Sequence, residues 1–149
     1  MSLISTRDVK KYTLQNGLTV LLETNHASPV VSFNVGVKIG SVWETDSEAG
    51  LSHVLEHMVF KGTTSTAPGE IAKIVEGCGG ELNAYTSFDQ TVYYINLASR
   101  HWQTGLKLIK EMVCDAIIDA DELTREQEVI VEEIRRGKDN PHSLLSETL

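Results

Sequence analysis

Cysteine is scarce: Cys78 and Cys114 are the only two among 149 residues, and no Cys-x-x-Cys pair exists. Stability from a disulfide framework is excluded, and such thiol usage fits a reducing compartment, so a cytoplasmic location is expected. Proline is also rare, at three residues, and no Pro/Gly-rich tract, internal repeat or low-complexity stretch divides the chain. Positive charge is short, with 13 Lys plus Arg against 21 Asp plus Glu and a net charge of −8. The chain therefore lacks the basic surface that phosphate backbones require, and nucleic acid is not an expected partner. No apolar run approaches the ~20 residues of a membrane span. No charged segment followed by a long apolar one opens the sequence, so neither membrane insertion nor a secretory signal is expected. What is present is a 41% hydrophobic content with two Trp, four Tyr and three Phe, enough for a packed core and for one domain or part of one.

Tyr12 and Leu14, then Asn16-Gly17, then Leu18, Val20 and Leu22 read as two strands around a type I′ turn. Val31, Phe33, Val35, Val37 and Ile39 alternate with polar or small residues, the pattern of a strand with one buried face. A second hairpin is predicted from Glu81 to Leu97, with Ser87 to Gln90 at its tip. Between the strands, Leu51, Val54, Leu55, Met58 and Val59 follow helical spacing, with Asp46 or Ser47 as cap, Gly62 as stop and the stripe of Leu51, Val54, Leu55 and Met58 buried. A short helix is predicted from Gly69 to Gly77, and a longer one whose apolar stripe is Trp102, Leu106, Ile109, Val113 and Ile117. A last helix begins at Asp119 or Asp121, ends among Arg135, Arg136 and Lys138, and is broken by Asn140-Pro141. Hairpins and helices in groups, without regular βαβ alternation, indicate an α+β fold, a largely antiparallel sheet covered by helices. The chain stops at Leu149 within a further amphipathic start, Leu144 to Leu149, so it is expected to be an N-terminal fragment.

The chemistry concentrates in His53-Val54-Leu55-Glu56-His57. Residues four apart on a helix project from one side, so both imidazoles can meet one metal ion while Glu56 stands beside them. Neutral imidazole is a good zinc ligand, and three protein ligands with one open position is the catalytic arrangement; a structural site would need four ligands, and only three converge here. The order His-x-x-Glu-His is that of inverzincins. His101 heads another helix and Cys78 lies in a Gly-rich loop, so the best source of a third ligand is the long acidic helix. There Glu126, Ile130 and Glu133 recur at steps of four and three, which places both carboxylates on one face; one can bind metal while the other supports it.

The segment Gly50 to Thr63, containing His53-Val54-Leu55-Glu56-His57-Met58-Val59-Phe60-Lys61-Gly62, followed by Glu126 to Ile134, closely resembles the pitrilysin (insulinase) family of zinc metallopeptidases. Asn16-Gly17-Leu18, Gly79-Gly80-Glu81-Leu82-Asn83-Ala84-Tyr85-Thr86 and Thr91-Val92-Tyr93-Tyr94 extend the likeness in the same order, so that it covers the chain from about Tyr12 onward. Bacterial processing-type peptidases and the catalytic subunit of the mitochondrial processing peptidase are the most similar members. The resemblance implies a zinc-dependent endopeptidase acting on extended or unfolded peptide, with residues 1–149 as the N-terminal part of a longer pitrilysin-type catalytic module. It implies Zn²⁺ on His53, His57 and Glu133, Glu56 as general base, and Glu126 as support for a ligand. Glu132 points roughly 100° around the helix from its neighbour, so sharing a face with Glu126 favours Glu133. It further implies peptide pairing with the strand at Asn83, Ala84 and Tyr85. A related C-terminal module or partner subunit would complete a chamber, and homo-oligomerisation is compatible with the pattern. The alternative is a non-catalytic peptide-binding or structural subunit of the same fold, a role that would not require an intact His-x-x-Glu-His.

Overall fold

The computed structural model describes residues 9–139. Two strands, β1 (Val9–Thr13) and β2 (Thr19–Glu23), form an antiparallel hairpin. A separate three-stranded sheet contains β3 (Val30–Val37), β4 (Glu81–Thr86) and β5 (Thr91–Ala98) in the order β3-β5-β4, all antiparallel. The helices are α1 (Leu51–Met58), α2 (Glu70–Gly77), α3 (Trp102–Asp115) and α4 (Ala120–Lys138). The α+β architecture is as the sequence implied. The expected break at Asn140-Pro141 and the amphipathic start at 144–149 lie outside the described residues. Among the described residues no helix is long and apolar enough to cross a membrane.

Register explains the core. Val31 pairs with Leu97, Phe33 with Ile95 and Val35 with Tyr93, while Leu82 and Ala84 of β4 pair with Ile95 and Tyr93. Side chains directly opposite share a sheet face, so these alternating residues form one apolar surface. Ile71 and Val75 of α2 and Leu108, Ile109 and Met112 of α3 close over it. Val37 and Ile39, predicted on the same buried face, are exposed.

Three local expectations are corrected. The first hairpin does not turn through type I′, which needs positive φ at both central residues. Among the described residues no non-glycine φ is positive, so Asn16 does not adopt it and within this turn Gly17 alone does, at 85°. The Gly17 N–H closes a turn onto the Leu14 carbonyl at 2.9 Å, and Asn16 Oδ1 accepts from the Leu18 amide at 3.1 Å. In α3 the buried residues are Gly105, Leu108, Ile109, Glu111 and Met112, whereas Trp102 and Leu106, and Ile117 just beyond the helix, are exposed. The reason is Gly105: a Cβ there would stand 2.8 Å from the Phe33 ring and 3.0 Å from Leu97, so the helix approaches the sheet along the side where a side chain is missing. A stripe read from hydrophobicity does not see glycine. In α1, Met58 is buried, but Leu51 and Leu55 are exposed, and Ser52 is buried in their place.

Capping separates the helices. Of the two expected starts of α4, Asp119 and Asp121, the cap is Asp119, its Oδ1 accepting from the amides of Asp121 and Glu122 at 3.0 Å. Neither Asp46 nor Ser47 caps α1. Its N-cap is Gly50, in the left-handed region at φ 91°, and the carboxylate that reaches the helix start belongs to Glu44.

Candidate metal centre

Helix α1 packs against α4 and lies over β4 and β5. The face of α4 turned to α1 is the one the spacing singled out: Glu126 and Ile130 are buried there, and Glu133 follows one turn later. His53 and His57, one helical turn apart, meet edge to face with ring centroids 4.8 Å apart. Their Nε2 atoms are 3.1 Å apart, and Glu133 Oε2 stands 3.4 Å from His57 Nε2 and 3.8 Å from His53 Nε2. Among the described residues this is the one group of three or more His, Cys, Asp or Glu side chains drawn close enough to hold an ion.

Zinc suits this donor set. Ligand atoms about 2.0–2.1 Å from a tetrahedral zinc ion stand about 3.3 Å apart, and the three separations bracket that value. The tautomer of His57 also fits. Its Nδ1 lies 2.8 Å from Glu126 Oε1, and the other oxygen of Glu126 is paired with the Lys61 ammonium. Burial would raise the Glu126 pKa, but the hydrogen bonds from Lys61 and His57 and their charges together hold it below the usual carboxylate value. An ionised carboxylate can only accept, so Nδ1 of His57 carries the proton, the tautomer whose neutral ring offers the Nε2 lone pair on the side of His53 and Glu133.

Glu56 reaches the end of strand β4. Its Oε2 accepts from the Thr86 hydroxyl at 2.5 Å, while Thr91 Oγ1, beside Thr86, donates to the Ile39 carbonyl at 3.0 Å. Thr86 lies on the same face of β4 as Ala84 and Leu82, the face covered by helices. A cleft therefore runs between the ion-binding group and the second hairpin, lined by His53, Glu56, Tyr85, Thr86, Phe88 and Glu133. Strand β4 pairs only with β5 among the described strands, so its other edge borders this cleft. On it, the Ala84 amide is held by its neighbour Asn83 Oδ1 at 2.9 Å, and Tyr85 is exposed.

The structure thus gathers His53, His57 and Glu133 and leaves Glu132 outside, paired with Arg135 on the exposed side of α4. It bonds Glu126 to His57 Nδ1 and brings Ala84 and Tyr85 to the cleft, while Asn83, the residue before them on β4, is not among the residues that line it. Neither His101, bonded to Arg100, nor the two free cysteines join the group. Sequence reasoning gave no role to Lys61 and Thr86. Thr86 was within reach, because the period of two in β4 puts it on the face of Ala84; the Lys61–Glu126 pair spans 65 residues and had no local signal.

Residues 19–149 match the sequence model of the insulinase family, peptidase family M16. A protein of Rickettsia felis named an uncharacterized zinc protease is 38% identical over 134 residues, 90% of this chain and 32% of the relative. One of Bacillus subtilis with the same description is 37% identical over 141 residues, 95% of this chain and 34% of the relative. A probable mitochondrial-processing peptidase subunit beta of Arabidopsis thaliana is 32% identical over 133 residues, 89% of this chain and 25% of the relative. The crystal structure of a protease from Helicobacter pylori superposes with a TM-score of 0.88 at 34% identity, covering 93% of this chain and 34% of that one. This chain therefore spans about a quarter to a third of the length of these relatives. With the family model covering most of the sequence, and a close structural likeness beside it, the chain belongs to the insulinase (M16) family of zinc peptidases.

Proposed function

We propose that this chain is the metal-binding part of a zinc endopeptidase that cleaves extended peptide segments. The observation that carries the reading is the convergence of His53 Nε2, His57 Nε2 and Glu133 Oε2 beside a cleft whose opposite wall is a sheet edge. His53, His57 and Glu133 would hold the ion, with Glu126 fixing the His57 tautomer. Zinc so held supplies a Lewis acid for the scissile carbonyl and makes water nucleophilic near neutral pH. Glu56 is the proton carrier. Thr86 engages Oε2 and sets the carboxylate's orientation, leaving Oε1 to take a proton from the attacking water and return it to the leaving amine. One carboxylate serves both transfers.

Peptide binds by adding a strand along Asn83 to Tyr85, where main-chain pairing accepts many sequences and side-chain pockets set preference. Residues 1–149 form the N-terminal part of a larger catalytic module, and further polypeptide closes a chamber over the cleft. That polypeptide is a related C-terminal module or a partner subunit, a reading supported by the relatives named as beta subunits of a processing peptidase.

The direct test is hydrolysis of a quenched fluorogenic peptide by the intact protein. Turnover should vanish after dialysis against a chelator and return on adding zinc; turnover indifferent to the chelator would refute the reading. Strand addition has its own test. Ala84→Pro removes an edge donor, so peptide affinity, measured by calorimetry in a Glu56→Gln background, should fall while zinc content is unchanged. Unaltered affinity would move the peptide to another surface.

A further inference from the structure

Helix α1 carries all three side chains of the His-x-x-Glu-His segment, yet it has no cap of its own: Gly50 offers no side chain, and the first turn contains no acidic residue. The free N–H groups of a helix start need partners. Here they come from a distance. Glu44 Oε2 accepts from the Gly50 amide at 2.7 Å and Glu44 Oε1 from the Ser52 amide at 2.6 Å. The nearby Ser52 hydroxyl, with the Ser52 and Gly50 amides, holds the Glu44 pKa below its ordinary value against the opposing effect of burial. Ser52, buried and adjacent to His53, is thereby tied through its amide to a carboxylate whose negative charge also suits the positive end of the helix.

The base of Glu44 is itself anchored to the other wall of the cleft. Residues 41–43 form a single 3-10 turn, and the amides of Ser41 and Val42 donate to the carbonyls of Ser87 and Phe88, at 3.3 and 2.9 Å, in the tip of the β4–β5 hairpin. The approach is so close that a Cβ on Gly40 would lie 2.2 Å from the Ser87 oxygen. Segment 40–44 is a strut: its backbone is bonded to the hairpin beyond the peptide strand, and its last side chain is bonded to the start of the metal-binding helix.

We propose that Glu44 is a positioning residue of the metal centre, fixing His53 relative to β4 by capping α1 from the hairpin tip. The role rests on the metal assignment above. Loss of a group that orients a ligand weakens metal binding by about 10- to 100-fold. Glu44→Ala in the intact protein should therefore raise the zinc dissociation constant, measured by competition with a chromogenic chelator, by about tenfold or more. Glu44→Gln, which retains one acceptor oxygen, should show a smaller rise, and it carries the test if the alanine variant does not fold. Val75→Ala, a core change in α2 remote from the strut, serves as a control for general loosening. It should lower the melting temperature while leaving zinc affinity within about twofold, because it frees no ligand. Zinc affinity unchanged in Glu44→Ala but lost in His53→Ala would overturn the role of Glu44 alone. An equal loss in Val75→Ala at matched melting temperature would also overturn it. Equal zinc binding by wild type and His53→Ala would overturn the metal assignment and the positioning role with it.

Discussion

Glu56→Gln in the intact protein should retain its zinc and lose peptide hydrolysis by about 10²- to 10⁴-fold, the usual contribution of a positioned general base. The substitution changes little in size and leaves one amide oxygen that can accept from the Thr86 hydroxyl as Oε2 does now, so the side chain still fits beside Thr86. What it removes is the ability to take a proton. Glu56 stands outside the group formed by His53, His57 and Glu133, so metal content should be insensitive to the change. Zinc determination and single-substrate kinetics on the same preparation separate the two effects. Turnover within a few-fold of wild type would show that another group moves the proton, and loss of zinc would show that Glu56 is a ligand.

A second large effect is expected in metal binding, and it discriminates between the two carboxylates of α4. His53→Ala and Glu133→Gln each remove one of three donors, and both should leave the dialysed protein with only a small fraction of its zinc. Glu126→Gln should retain the metal with an affinity about 10- to 100-fold lower, because it disturbs the orientation and proton of His57 without removing a donor. Loss of the Glu126 carboxylate also strips Lys61 of its partner, leaving a half-buried ammonium beside the site. More zinc retained in Glu133→Gln than in Glu126→Gln would invert the assignment of ligand and support, and equal loss in both would overturn the distinction between them. Atomic absorption after dialysis, followed by chelator competition, measures both.

The candidate site was legible in unequal parts. His53, Glu56 and His57 are a local pattern: helical periodicity alone puts both imidazoles on one side, and α1 forms where that periodicity begins. Glu126 and Glu133 were also legible as a pair, since steps of four and three mark one face of α4. Their division of labour was not. Which carboxylate meets Nε2 and which meets Nδ1 depends on where α4 crosses α1, a contact between segments some 70 residues apart that the resemblance to a family implied and spacing could not. The strand at Asn83 to Tyr85 was visible by alternation, but its place on the cleft rim follows from the order β3-β5-β4, which leaves β4 at an edge.

The local chemistry of side chains and short-range backbone geometry thus determined, from sequence alone, the α+β class, the helix and strand segments, the Asp119 cap and the inward turn of two histidines. Tertiary structure decided the rest. It chose the buried face of α3 through a glycine that lets the helix approach Phe33, gave the start of α1 to Glu44 instead of Asp46 or Ser47, and paired Glu126 with Lys61 and Glu56 with Thr86. The physical reason is common to all four. Propensity and periodicity act within a turn or two of chain, whereas a hydrogen bond or a close packing contact rewards only groups that the completed fold has brought together.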